Sequence, residues 1–303
     1  MGFLDKFKKK EKVLQQDTSQ RDNHPGMAFM IHLLMDEMCE MPDKERMNEV
    51  MNRHLGETEC FSYDENGAGF AAKKYTANFE NGEKQAPPML MIMGCVEIKK
   101  PIMDEVAESQ LWDCPDGDEI MKSCKYQVIA TDMLGAGLDY KDRAEMLVDY
   151  IEALVELFPT CRAVVFETSK KMFTREAIIN CSVPKKSRFI YYAVNVRFFN
   201  IQGTDDSIVD SVGMSTLFLP DVQYHFHGVD PDAVVNHAYN VLTYIFDFDE
   251  ENPLKAGDTV DGIADGQMSR DVQWKVQYEE SLIQPIREVV DVNMGEFASG
   301  SRQ

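Results

Sequence analysis

The chain has seven cysteines, an odd number, and no Cys-x-x-Cys pair anywhere in its 303 residues. That excludes a zinc ribbon and argues against a disulfide framework. Cys39, Cys60, Cys95, Cys114, Cys124, Cys161 and Cys181 therefore read as free thiols of a reducing compartment, and the expected location is cytoplasmic. The phosphate-cradling GxxxxGK[ST] and GxGxxG patterns are absent, as is the GxSxG nucleophile elbow. No apolar run reaches the ~18–20 residues that span a bilayer. The first ten residues place Lys6, Lys8, Lys9 and Lys10 behind Phe3 and Leu4, the reverse of a secretory leader. Lys6 also breaks the myristoylation pattern. Positive charge is scarce: Lys and Arg total 31 against 52 Asp and Glu, a formal net charge of −21. Such a field repels phosphate backbones, so no nucleic-acid partner is expected, whereas a basic protein partner is admitted.

What is present is ordinary globular composition, 44% hydrophobic and 27% charged. Residues 1–23 read as a flexible basic and polar tail. Met27, Met30, Ile31, Leu34, Met35 and Met38 recur at helical spacing and predict a helix ending near Met41, before Pro42. Asp43 caps a second helix to about His54. Strands are expected over 58–63, 68–76 and 88–98, with Asn66-Gly67 as a hairpin turn. The nearly unbroken apolar run of the third predicts a central strand covered on both faces. A short helix follows Pro101, and a strand covers 124–132. The clearest helix runs from Asp139 to Phe158, with a 3.6-residue apolar period. Further strands are expected at 161–166, 188–199, 213–219, 221–227, 271–278 and 285–292. A helix opens at Asp230-Pro231. Hairpins mixed with helical crossovers predict an α+β fold, a mixed and largely antiparallel sheet flanked by helices. Two similar halves are left open. The expected regions are 24–200, 201–295 and a loose tail at 296–303.

The polar candidates are few. His225 and His227 lie two apart on an expected strand, so both imidazoles project to one side. His237 follows early in the next helix. Three imidazoles can hold zinc or another divalent metal, which makes these residues the metal candidates and a metal-dependent enzyme the alternative reading. The bland reading is a set of solvated or turn-bonded histidines. Met133-Leu134-Gly135-Ala136-Gly137 joins a strand to a helix, but Asp132 and Asp139 beside it speak against a phosphate. Among 19 methionines, those from Met27 to Met51 suit either a core or an adaptable binding surface. Phe3, Leu4 and Phe7 beside the lysines make residues 1–10 a candidate for peripheral membrane contact.

Gly213-Met214, Asp221-Val222-Gln223-Tyr224, Asp230-Pro231, the helix with Tyr244, and Gly257-Asp258-Thr259 followed by Gly262 carry a resemblance. The segment from Gly213 to Ile263 resembles the C-terminal domain of bacterial proteins grouped as domain-of-unknown-function family 4261, with a looser likeness upstream around Trp112 and Tyr126. The resemblance implies a bacterial, cytoplasmic α+β protein and brings no catalytic motif with it. The residues are thus read as a non-enzymatic protein-interaction protein with no catalytic residues and no resident cofactor. One form of that role is immunity-like, an acidic surface neutralising a basic partner.

Overall fold

The computed structural model describes residues 28–79, 82–247 and 254–300. The expected tail at 1–23 and the membrane-contact candidate at 1–10 lie outside the described residues.

The first sheet is built from β1 (Met30–Met35), β2 (Thr58–Asp64), β3 (Gly67–Ala72), β6 (Met89–Met93), β7 (Val96–Glu97), β8 (Tyr126–Met133), β9 (Ala163–Phe166) and β10 (Met172–Thr174). A separate small hairpin pairs β4 (Ala77–Phe79) with β5 (Lys84–Ala86). The strand order is β10-β9-β1-β8-β6-β3-β2, with β7 also on β8, and every pairing is antiparallel. Interspersed are α1 (Lys44–Leu55), α2 (Glu105–Glu108), α3 (Gly117–Ser123), α4 (Tyr140–Leu157), α5 (Arg175–Ile179) and α6 (Arg188–Ala193). The second sheet joins β11 (Asn195–Asn200), β12 (Ser207–Val212), β13 (Asp221–Phe226), β16 (Glu288–Asn293), β15 (Gln267–Glu280) and β14 (Thr259–Ala264), in that order. Its one parallel pair is β13 with β16, across which α7 (Pro231–Asp247) and the β14–β15 hairpin intervene. The α+β class with largely antiparallel sheets is as expected.

Local chemistry accounts for the well-read elements. The Asp43 carboxylate accepts from the Arg46 amide at 2.8 Å and starts α1. Asp139 does the same for α4 through the Lys141 amide. Asp64 pairs with Gly67 around the Asn66 turn. Along α4, Leu147, Ile151 and Leu154 are fully buried, and each such side chain stabilises the fold by about 1.5–3 kcal/mol. One apolar core runs from the first sheet through α4 and α6 into α7 and the second sheet.

Three expected elements are corrected. The helix expected over 27–41 is β1, the central strand between β8 and β9. The run Met30–Met35, apolar except for His32, fits both periods, and burial of Ile31, Leu33, Leu34 and Met35 within the sheet decides for the strand. The strand expected over 188–199 begins as α6, because Phe189, Ile190, Tyr192 and Ala193 bury one helical face, and extends only from Asn195. The strand expected at 213–219 is a 3-10 turn over Met214–Leu217. β11 pairs with β12, so the second sheet begins before residue 201. At the other end, Ala298 bridges Phe226 and Ser299 is buried.

Candidate functional site

The three candidate histidines do not converge. Tyr224 and His225 are neighbours on β13 and face opposite ways. His237, on α7, lies on the Tyr224 side. Its Nδ1 sits 2.9 Å from the Tyr224 hydroxyl, its Nε2 2.5 Å from the Asp261 carbonyl, and its ring packs 5.0 Å from that of Trp274. The tautomer follows: Nε2–H donates to the carbonyl and Nδ1 accepts from the phenol. Burial pulls the His237 pKa down from 6.5, against the opposing pull of Asp261. His237 is therefore a neutral core histidine. His225 and His227 belong to a separate cluster. Ser299 Oγ donates to Asp206 at 2.8 Å and accepts from His227 Nδ1 at 2.9 Å, while His225 Nε2 lies 3.5 Å from the same carboxylate. This cluster fastens the last described residues to β13, with backbone bonds from His227 N to Phe297 O and from Ser299 N to His225 O. Among the described residues no group of three His, Cys, Asp or Glu side chains could hold a metal ion.

The most deeply buried charges are spent on architecture. Arg287 donates to Asp210 at 2.9 Å and to Asp221 at 3.0 Å, and Arg197 forks onto Asp210 at 2.9 and 2.6 Å. Asp221 also accepts from Ser211 Oγ and the Met214 amide, locking β12, β13 and the turn between them. Burial alone would lower the Arg287 pKa, but Asp221 and Asp210 push it above its ordinary value, so the guanidinium stays charged. Arg143 performs the same task between the two sheets. It holds Asp132 through Nε at 3.0 Å and Nη2 at 2.9 Å, and donates to the Thr216 carbonyl. The Asp132 carboxylate fills the space where a side chain on Gly135 would stand, 2.0 Å from its Cβ. The glycine junction is thus occupied by a carboxylate and its guanidinium. Burial raises the thiols of Cys114 and Cys124 to about 11 and those of Cys39 and Cys161 to about 12, far from a reactive thiolate.

The feature left without an internal task is the outer face of the first sheet. Leu90, Ile92, Val128, Ala130, Ala68 and Phe70 point into the main core. Their neighbours Met89, Met91, Met93, Ile129, Thr131 and Met133 point out. Register stacks them in rows: Met30, Thr131, Met91 and Gly69 in one, Met133, Met89 and Ala71 in the next. Phe61, at a bulge in the edge strand β2, lays its ring over Gly69, where a Cβ would stand 2.5 Å from it. One end of this face is covered by α3 and the loop before it, which pack Met103, Cys114 and Ile120 onto Leu34, Val165 and Met172. The other end is open: Phe61 is 47%, Met93 49% and Met133 48% exposed. Of the methionines from Met27 to Met51, which suited either a core or a binding surface, Met47 and Met51 are fully buried, as a core requires. The 88–98 strand, expected to be covered on both faces, is covered only on its Leu90–Ile92 side.

These features define an α+β protein whose buried charges are structural and whose open sheet face is apolar and methionine-rich. Residues 210–293 match the family described as a domain of unknown function (DUF4261), and the match spans β12 through β16, including Asp210, Asp221 and Arg287. No curated protein and no solved structure matches the chain. Among the described residues no helix is long and apolar enough to cross a membrane.

Proposed function

We propose that this is a non-enzymatic protein-interaction protein that receives a basic partner on the open face of its first sheet. The observation that carries the reading is the patch of exposed Met93, Met133 and Phe61, with half-buried Met91 on the same face, beside the edge strand β2. Methionine adapts its shape to an incoming apolar surface, and contiguous exposed apolar side chains mark interaction sites. A net charge of −21 favours a partner of opposite sign by raising the association rate. An immunity-like role, in which the acidic protein caps a basic toxin, is the form of this function that the charge suits. The buried thiols and the paired Arg–Asp clusters support the non-enzymatic half of the reading, because each ionisable group they contain already has a structural task.

The test is capture of a partner from the native host by wild type and by a Met93→Asp/Met133→Asp variant. Both positions are exposed, so the variant keeps the far-UV spectrum and melting temperature of the wild type. A salt-sensitive partner held by the wild type and lost by the variant supports the reading. A partner retained by the variant, or no salt-sensitive partner at all, refutes it.

A further inference from the structure

We infer that the chain carries a second binding site, a cationic cleft beneath α3 that takes a small anionic amphiphile, a carboxylate or phosphate head on an apolar body. The cleft encloses about 420 Å³ between the loop after β7 and the end of α3, which lies within the range of small-molecule sites. Lys99, Lys100, Lys122 and Lys125 line it. Four of its twelve lining residues are thus basic, in a chain where 31 of 303 are. Glu108 and Asp118 are the acidic members, so the lining keeps two net positive charges inside a strongly negative protein.

Pairing sharpens the contrast. The nearby basic side chains have carboxylate partners: Arg162 with Asp36, Lys170 with Glu167, and Lys171 with Asp113. Among the described residues none of the four cleft lysines takes part in an ion pair. Lys125 instead turns its ammonium onto the Lys122 carbonyl at 2.7 Å, holding that charge where α3 ends. Four like charges with only Glu108 and Asp118 beside them, and no ion pair formed, repel at a cost that a bound anion would relieve. Below them the floor is apolar, with Leu34, Ile102, Met121 and Cys124. Leu34 and Cys124 are buried in the small core under α3, and Cys124 keeps its thiol because burial raises it to about 11. Ile102 and Met121, partly exposed above these buried residues, offer an uncharged surface to a hydrocarbon, and the mouth offers ammonium groups to its head.

The experiment titrates full-length protein labelled at the methionine methyls with octanoate and octyl phosphate. Octanol supplies the body without the charge, and inorganic phosphate the charge without the body. The expected result is a saturable shift of the Met121 methyl with both amphiphiles, while Met93 and Met133 stay still. Octanol and inorganic phosphate should bind at least about tenfold more weakly. Lys99→Glu/Lys122→Glu, and separately the milder Lys100→Gln/Lys125→Gln, should weaken octanoate while leaving the melting temperature unchanged, since all four side chains are exposed. Vesicles of phosphatidylglycerol form a further arm: a Met121 shift with vesicles but not with free amphiphile would replace the small-molecule site with a lipid surface and overturn the inference. So would equal binding of octanol and octanoate, unchanged affinity in both lysine variants, or no saturable Met121 shift.

Discussion

Replacing Arg287 with Met tests whether the buried charges are architectural. Among the described residues Arg287 is the only side chain that reaches Asp210 and Asp221 together, and its side chain is 3% exposed. Asp210 keeps Arg197 after the change. Asp221 keeps Ser211 Oγ and the Met214 amide but loses the Arg287 guanidinium, the one cation paired with it among the described residues. Removing one partner of a buried ion pair costs about 3–5 kcal/mol, because the other charge stays in low dielectric. That is a large share of the roughly 5–15 kcal/mol that holds a domain together. Asp221 sets the pH dependence. Burial already raises its pKa above 3.8 against the pull of Arg287, and the variant raises it further. A carboxyl with a raised folded pKa binds more protons folded than unfolded, so its stabilising contribution falls as pH rises through that value. The deficit of the variant should therefore be greatest at neutral pH and shrink as pH falls toward 3.8. Urea unfolding followed by far-UV circular dichroism at pH 7 and pH 5 measures it. Adding Asp221→Asn, which removes the orphaned charge, should recover part of the loss. A deficit under about 1 kcal/mol, below any buried-pair cost, or no recovery in the double variant would refute the reasoning.

Three further outcomes are expected. His237 has a lowered folded pKa, so its neutral form stabilises fully above 6.5 and that contribution is lost as pH falls below 6.5; His237→Gln should flatten the wild-type stability loss over that interval in thermal melts. Gly213→Ala should cost at least about 1–3 kcal/mol in urea unfolding, since φ is +137° and the new Cβ would stand 2.3 Å from the Ala193 carbonyl. Elemental analysis of purified protein should find no stoichiometric zinc, and stoichiometric zinc lost on His225→Ala/His227→Ala would reinstate the metal reading.

The fold was legible where one local signal stood alone. Asp43 and Asp139 are side-chain caps, and Asn66-Gly67 a turn pair, whose geometry depends on near neighbours only. It was illegible where two periods fit one run. Met30 to Met35 satisfies a helix and a buried strand alike, and the long-range pairing with Thr131 and Phe166 decided between them. The candidate site failed for a related reason. Spacing put His225 and His227 together, and they share one cluster although β13 ends between them at Phe226, but spacing could not reveal that the neighbouring Tyr224 claims His237 on the other side. The apolar run through Met89–Met93 predicted a strand covered on both faces, the outer one carrying Met89, Met91 and Met93. Whether the chain itself covers that face depends on where α3 packs, and α3 reaches only the Leu34 end.

The most direct measurement is methionine oxidation by dilute peroxide, read residue by residue in the free protein and with the captured partner bound. Met93 and Met133 are exposed on the proposed face, while Met38 and Met268 are exposed elsewhere and serve as internal controls. The account predicts that the partner protects Met93 and Met133 and leaves Met38 and Met268 as reactive as before. Protection of the controls instead, with Met93 and Met133 still oxidised, would contradict it.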